Sequence, residues 1–248
     1  MKFERIIKNI SFTVAAVVVF FMTGGMYLSG KGFVIQDDGQ IVLMRQASAQ
    51  DDILASTPVI PDNSVFPTNH TVGSPDAPVT LYEYSSFGCS HCADFHLQIL
   101  PKLQSEFIDK GLLKVSFIPL PADKASMDAA LLAECVPSDK YFEFIEMLFK
   151  KQRRWGLNRD PQKVLKQYAV LYGVPENKTD SCLHNDDNAR EIISNRQNAI
   201  STLGIRGTPS FVISWNGHNE FIAGLKPYNS FKDIIESKLA EIASQDKK

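Results

Sequence analysis

Residues 77–120 read APVTLYEYSSFGCSHCADFHLQILPKLQSEFIDKGLLKVSFIPL, and the changes of period within this stretch decide the fold. Val79, Leu81 and Tyr84 lie among alternating β-branched and aromatic residues, which predicts a strand over 79–84. Beyond the turn at SSFGCSHC, Phe95, Ile99, Leu103, Phe107 and Ile108 recur at helical spacing and Gly111 closes the helix. Pro101 lies inside that helix and is expected to kink it without ending it. Residues 112–120 return to strand character. Strand, helix and strand in succession form a βαβ unit, so the two strands should run parallel with a right-handed crossover.

The turn of this unit carries Cys89-Ser90-His91-Cys92 at the mouth of the helix. There, unpaired backbone N–H groups and the positive end of the helix dipole favour thiolate over thiol at Cys89. His91 can add a hydrogen bond or positive charge, and two intervening residues let Cys92 close a small ring with Cys89. A readily ionised Cys89 is a good leaving group, and stabilising the reduced pair makes its disulfide a stronger oxidant. Metal binding is the rival reading. Cys89, Cys92 and His96 could supply three zinc ligands, but no second C-x-x-C or H-x-x-H pair offers a fourth, and no metal is expected. A purely structural disulfide is the third possibility.

Outward from this unit, residues 125–135, 140–151, 161–172 and 188–203 each place apolar side chains at three- and four-residue intervals, broken by Pro137, Gly156, Gly173 and Pro175. Residues 210–215 and 220–223 then read as two strands joined at Asn216-Gly217, a strong hairpin signal, and 228–243 as a closing amphipathic helix. The order βαβ, helical block, ββα describes an α/β core with a mixed sheet, spanning 72–123 and 202–245, interrupted by an α-helical insertion over 124–201.

Toward the N-terminus, residues 1–9 form a short tail with Lys2, Arg5 and Lys8, and 10–28 run without a charged residue. The run is about as long as a bilayer-spanning helix requires and longer than the usual core of a signal peptide. The basic flank should stay in the cytoplasm and the remainder be exported. A membrane anchor is expected; the alternative is a long signal peptide cut near Gly24-Gly25 or at Ala47–Ala49. Residues 29–71 mix Pro, Ser, Asn and Asp without a sustained period and read as a tether, with the apolar patch 41–44 an incidental cluster and order beginning near Val72. The formal net charge of −2 offers no global basic surface, so no nucleic-acid partner is expected. Four cysteines in 248 residues are too sparse for a disulfide-built miniature scaffold.

The segments APVTLYEYSSFGCSHCADFHLQILPKL, AALLAEC, YFEFIEMLFKKQRRW and GIRGTPSFVI together resemble the DsbA family of bacterial thiol–disulfide oxidoreductases, in particular its membrane-tethered or exported alphaproteobacterial-type members. The resemblance covers about 72–239 and implies a thioredoxin fold with an inserted helical domain. It implies that Thr208-Pro209 is a cis-proline dipeptide opposite the C-x-x-C, where the backbone pairs with an extended substrate; the alternative is an ordinary trans proline opening a strand. It implies that Glu83 is a buried acid below the second cysteine. Glu83 shares a strand face with Leu81, although a solvated strand glutamate is the plainer alternative. Cys135 and Cys182 match positions where some relatives carry a second, non-catalytic disulfide, and in an exported chain a bridge is favoured over two free thiols. Two departures stand out: Ser90 replaces the proline commonest beside the histidine, and Ile118-Pro119 stands where many relatives have an arginine-containing strand end.

The function the resemblance implies is donation of the Cys89–Cys92 disulfide to newly translocated, cysteine-containing proteins, at the periplasmic face of the inner membrane or free in the periplasm. The protein would act as a monomer without a bound cofactor, be recycled by a DsbB-type membrane quinone-linked oxidase, and use Cys89, Cys92, His91, Ser90 and Glu83 for chemistry and Thr208 and Pro209 for substrate binding. A disulfide isomerase or reductase would use the same residues with Cys89 kept reduced. A chaperone-like binding module with a structural disulfide would survive replacement of Cys89 by serine.

Overall fold

The computed structural model describes residues 33–35, 41–43, 66–67 and 70–245, in two units divided between Thr57 and Pro58. In the first unit, β1 (Phe33–Ile35) and β2 (Ile41–Leu43) pair antiparallel, with Phe33 opposite Leu43 and Ile35 opposite Ile41. A two-stranded hairpin thus stands where the sequence reading expected an unstructured tether. Its strands are too short for a periodicity window to register. The expected membrane segment, 10–28, lies outside the described residues, and among the described residues no helix is long and apolar enough to cross a membrane.

The second unit is a thioredoxin fold interrupted by helices. The five strands β3 (Thr71–Val72), β4 (Val79–Ser85), β5 (Leu113–Pro119), β6 (Ser210–Trp215) and β7 (His218–Ala223) form one mixed sheet in the order β3-β5-β4-β6-β7. The β4–β5 pair is parallel, from Val79 opposite Leu113 to Ser85 opposite Pro119, and every other pair is antiparallel. The central position of β4 explains why all seven of its residues are buried.

Between β4 and β5 the helical segment begins as α1 (Ser90–Asp94), widens to a π-type turn at Phe95–Ile99, continues as α2 (Leu100–Leu103) and widens again at Gln104–Ile108. Leu100 donates to the carbonyl of Phe95, five residues back. Pro101, which lacks an N–H, therefore falls at the start of a fresh helical turn and the segment runs through it. Gly111, at φ +70°, then turns the chain into β5.

Alternation along the strands separates two cores. Val79, Leu81, Phe211 and Ile213 face Phe95, Leu103 and Phe107 from the α1–α2 segment and Phe231 and Ile235 from the last helix. Tyr82, Tyr84, Ile118 and Val212 face Ala199, Leu203 and Ile205 on the opposite side.

From β5 the chain enters α3 (Lys124–Ala133), α4 (Tyr141–Lys150), α5 (Gln152–Gly156), α6 (Pro161–Leu171), α7 (Thr179–Leu183) and α8 (Asp186–Ser201), returning through β6 and β7 to α9 (Tyr228–Gln245). The short helices α5 and α7 carry no periodic signal of their own and are held by tertiary contacts. Trp155 in α5 is buried and donates its indole N–H to the carbonyl of Leu148 at 2.9 Å, and α7 contains the bridged Cys182. Asn216 and Gly217 both have positive φ, 44° and 77°, the geometry of the tight hairpin expected between β6 and β7.

The body begins earlier than Val72. Phe66 is buried and stacks on Tyr82 with ring centroids 4.4 Å apart, and the His70 carbonyl accepts from the amide of Phe117 at 2.9 Å. The His70 ring pairs with Glu134 at 2.8 Å and stacks on Tyr141 at 3.6 Å, which ties this leading segment to the helical block. Isolated residues among Pro, Asn and Thr have no period to betray such packing.

Candidate active site

The central strand β4 ends at Ser85, and a tight turn follows in which the amide of Cys89 donates to the carbonyl of Ser86 at 3.0 Å. A side chain at Gly88 in this turn would have to displace Ser126 and Asp123. A Cβ there would lie 2.6 Å from Ser126 Oγ and 2.9 Å from Asp123 Oδ2, the groups that cap α3. Cys89 is the N-cap of α1, with φ −83° and ψ 123°, and its sulfur accepts the amide of Cys92 at 3.3 Å.

Across the turn, the Thr208–Pro209 peptide is cis, and the Cys89 thiol donates to the Thr208 carbonyl at 3.3 Å. Cys89 is half-buried and Cys92 fully buried, and both carry free thiols. This asymmetry separates their acidities. Proton donation from the Cys92 thiol, opposed by burial and reinforced by the Thr208 side chain and the amides of Cys92 and His91, lowers Cys89 from the ordinary thiol value to about 6. Burial first, and proton sharing with Cys89 second, push Cys92 far above it.

Ser90 and His91 are exposed. His91 acts on Cys89 through its backbone N–H; the sequence reading had looked to its ring. Glu83 is fully buried on the same strand face as Leu81, and His96 Nε2 lies 3.1 Å from its Oε1 and 2.9 Å from its Oε2. The His96 ring stacks on Phe149 at 4.4 Å and meets Phe117 edge-on. His96, weighed as a zinc ligand, thus turns to a carboxyl partner in the interior. Among the described residues no cluster of three or more His, Cys, Asp or Glu is arranged to hold a metal ion.

The Thioredoxin family profile matches residues 65–237. The chain belongs to the thioredoxin family. Within it the similarity runs to disulfide-handling proteins. The chain is 28% identical over 144 residues to a putative protein-disulfide oxidoreductase of Rickettsia felis, covering 58% of this chain and 52% of that one. It is 29% identical over 182 residues to disulfide bond formation protein D of Bacillus subtilis, covering 68% and 76% respectively. The chain spans about half the length of the Rickettsia relatives it matches. Among solved structures, alpha-DsbA1 of Wolbachia pipientis superposes with a TM-score of 0.68 at 26% identity, covering 75% of this chain and 96% of that one. BdbD of Bacillus subtilis superposes at 0.58 with 29% identity, covering 68% and 92%. The DsbA resemblance read from the sequence is therefore matched in sequence relatives and in fold.

In this thioredoxin-family chain, Cys89, Cys92, Thr208 and Pro209 meet at one point although 119 residues separate Cys89 from Thr208. Cys135 and Cys182 are bonded to each other, with Cα atoms 6.1 Å apart, joining the chain just beyond α3 to α7. They lie away from the turn, because α3 begins beside Gly88 and its ten residues extend about 15 Å before Cys135. The sequence reading missed Gln152. Its side-chain amide, at the start of α5, donates to the carbonyls of Phe87 at 2.7 Å and Cys89 at 2.8 Å, holding the Cys89 turn from the helical block. Only its place beside the aromatic-rich helix α4 could have drawn attention to it. The pairing of His96 with Glu83 was missed too, although the two fall on facing surfaces of a strand and the helix that follows it.

Proposed function

We propose that this chain is a thiol–disulfide oxidoreductase that donates the Cys89–Cys92 disulfide to exported, cysteine-containing proteins. The observation that carries this reading is the split acidity of the pair, with Cys89 near 6 and Cys92 far above the ordinary value. A substrate thiolate attacks Cys89 Sγ, the Cys89–Cys92 bond breaks, and Cys92 leaves, taking a proton because its thiolate is disfavoured in the interior. A second substrate thiolate then attacks the substrate sulfur of the mixed disulfide and expels Cys89 as its stabilised thiolate. Two electrons pass from the substrate dithiol to the cysteine pair. Thr208 and cis Pro209 align the substrate backbone, and Glu83, held by His96, handles the proton of Cys92. Ser90 and His91 border the reactive sulfur on the solvent side.

The uncharged stretch 10–28 would carry the body across the inner membrane, as an anchor or as a cleaved signal. A DsbB-type quinone-linked membrane protein would reoxidise the pair.

The test is the pH dependence of alkylation of the reduced protein. The rate should follow one ionisation with its midpoint near pH 6. A midpoint at the unperturbed thiol value of about 8.5 would overturn the reading. The lowered pKa of Cys89 also stabilises the folded dithiol form. That contribution is complete above about pH 8.5, the unfolded value, and disappears as pH falls through about 6.

A further inference from the structure

Beside the cis-proline turn lies a cavity of about 520 Å³ between the β5–α3 connection, the end of α8 and the loop 205–208. Its apolar surface comes from the buried side chains of Leu120 and Ile205 and the exposed side chain of Ile200. Two exposed arginines, Arg196 from α8 and Arg206 from the loop, line it as well, and neither forms an ion pair or hydrogen bond among the described residues. The nearest acid in the connection, Asp123, is engaged in capping α3 through Ser126. The cavity reaches Thr208, whose carbonyl accepts from the Cys89 thiol. Arg206 stands two residues before Thr208, so the Cα atoms are at most about 7 Å apart. A polypeptide whose cysteine lies at Cys89 would therefore present a neighbouring side chain to this cavity.

Two guanidinium groups without carboxylate partners, on a chain whose formal net charge is −2, form a local field that the overall composition does not explain. Their fork of donors matches a carboxylate in geometry as well as in sign. We infer that the cavity beside Thr208 is a subsite for an acidic side chain within a few residues of the reacting cysteine, so that substrates with Asp or Glu next to that cysteine are oxidised in preference to those with Lys. The inference rests on the disulfide-donor reading and adds a substrate preference to it. Arg196 and Arg206 attract and orient the carboxylate, while Leu120, Ile200 and Ile205 receive its methylene stem. Because both arginines are exposed, the preference acts mainly on the rate of encounter and is sensitive to salt.

The test uses the full-length oxidised protein and a set of two-cysteine peptides that differ only in the residue beside the first cysteine: Glu, Gln, Leu or Lys. At low ionic strength the Glu peptide should be oxidised about ten times faster than the Lys peptide, and the ratio should shrink toward one in ~1 M salt, where the screening length is about 3 Å. The double variant Arg196→Glu/Arg206→Glu should invert the Glu-to-Lys ratio. That ratio is internal to each protein, so a partly misfolded preparation slows all peptides alike, and the salt series on the wild-type protein tests the same point without a variant. Equal rates for Glu and Lys, or the fastest rate for Leu, would overturn the inference while the wild-type protein still oxidises dithiothreitol. Failure to oxidise dithiothreitol would instead remove the donor reading, and this inference with it.

Discussion

The two cysteine pairs of this chain occupy contrasting settings. Cys89 and Cys92 lie three residues apart at the end of the central strand, one half-buried against Thr208 and the other sealed in the interior. Cys135 and Cys182 lie 47 residues apart and are bonded within the helical block, joining the chain beyond α3 to α7. Closing so long a loop restricts the unfolded chain and contributes about 4 kcal/mol on a chain-entropy argument, whereas closing the short ring of the first pair restricts it far less. The near pair has strongly split acidities, and that is what thiol–disulfide exchange requires. Separation along the chain thus assigns stability to one pair, and under the proposed function local electrostatics assigns reactivity to the other.

The largest effects should fall on opposite properties. Cys89→Ser should lower the rate of peptide oxidation at least about a thousandfold, equivalent to about 4 kcal/mol, and leave the unfolding midpoint of the reduced protein little changed below about pH 6, where the Cys89 thiolate no longer adds stability. Cys135→Ala/Cys182→Ala should lower unfolding stability by about 4 kcal/mol in denaturant titrations, while the fraction that remains folded still exchanges. Loss of exchange in that folded fraction would break the contrast.

A smaller effect is expected from His96→Phe, which keeps an aromatic ring against Phe149 but leaves the Glu83 carboxyl buried without its partner. It should cost about 2–3 kcal/mol by chemical denaturation, and Glu83→Leu/His96→Phe should recover most of the loss, because no polar group is then stranded. A double variant no more stable than the single one would mean that the pair contributes by packing alone.

The smallest effect belongs to Gln152→Ala. Removing its two hydrogen bonds to the carbonyls of Phe87 and Cys89 should cost about 1–2 kcal/mol, with faster hydrogen exchange confined to the turn 86–92. Exchange that quickened equally throughout the helical block would show that Gln152 serves the block and not the reactive turn.

Much of the sheet was legible because its elements are long enough for their period to show. The strand expected over 79–84 is found at Val79–Ser85, that over 112–120 at Leu113–Pro119 and that over 210–215 at Ser210–Trp215. Asn216-Gly217 marked its turn because few residues tolerate two successive positive φ angles. The elements that escaped, β3, α5, α7 and the hairpin β1–β2, span two to five residues each. Segments so short form because something packs on them, and their own sequence carries little of the reason.

The same division runs through the site. The amino-acid order by itself determined that Cys89 opens a helix after a strand, with Cys92 one turn on, because hydrophobic period and helix-cap chemistry are local properties. The family resemblance pointed to Thr208 opposite the cysteines, but only the tertiary structure brought its carbonyl to Cys89 from 119 residues away, set Gln152 of the helical block on the turn, and paired His96 with Glu83 in the interior. Hydrogen bonds and burial act through space over a few ångströms, and linear order does not encode those distances until the chain has folded.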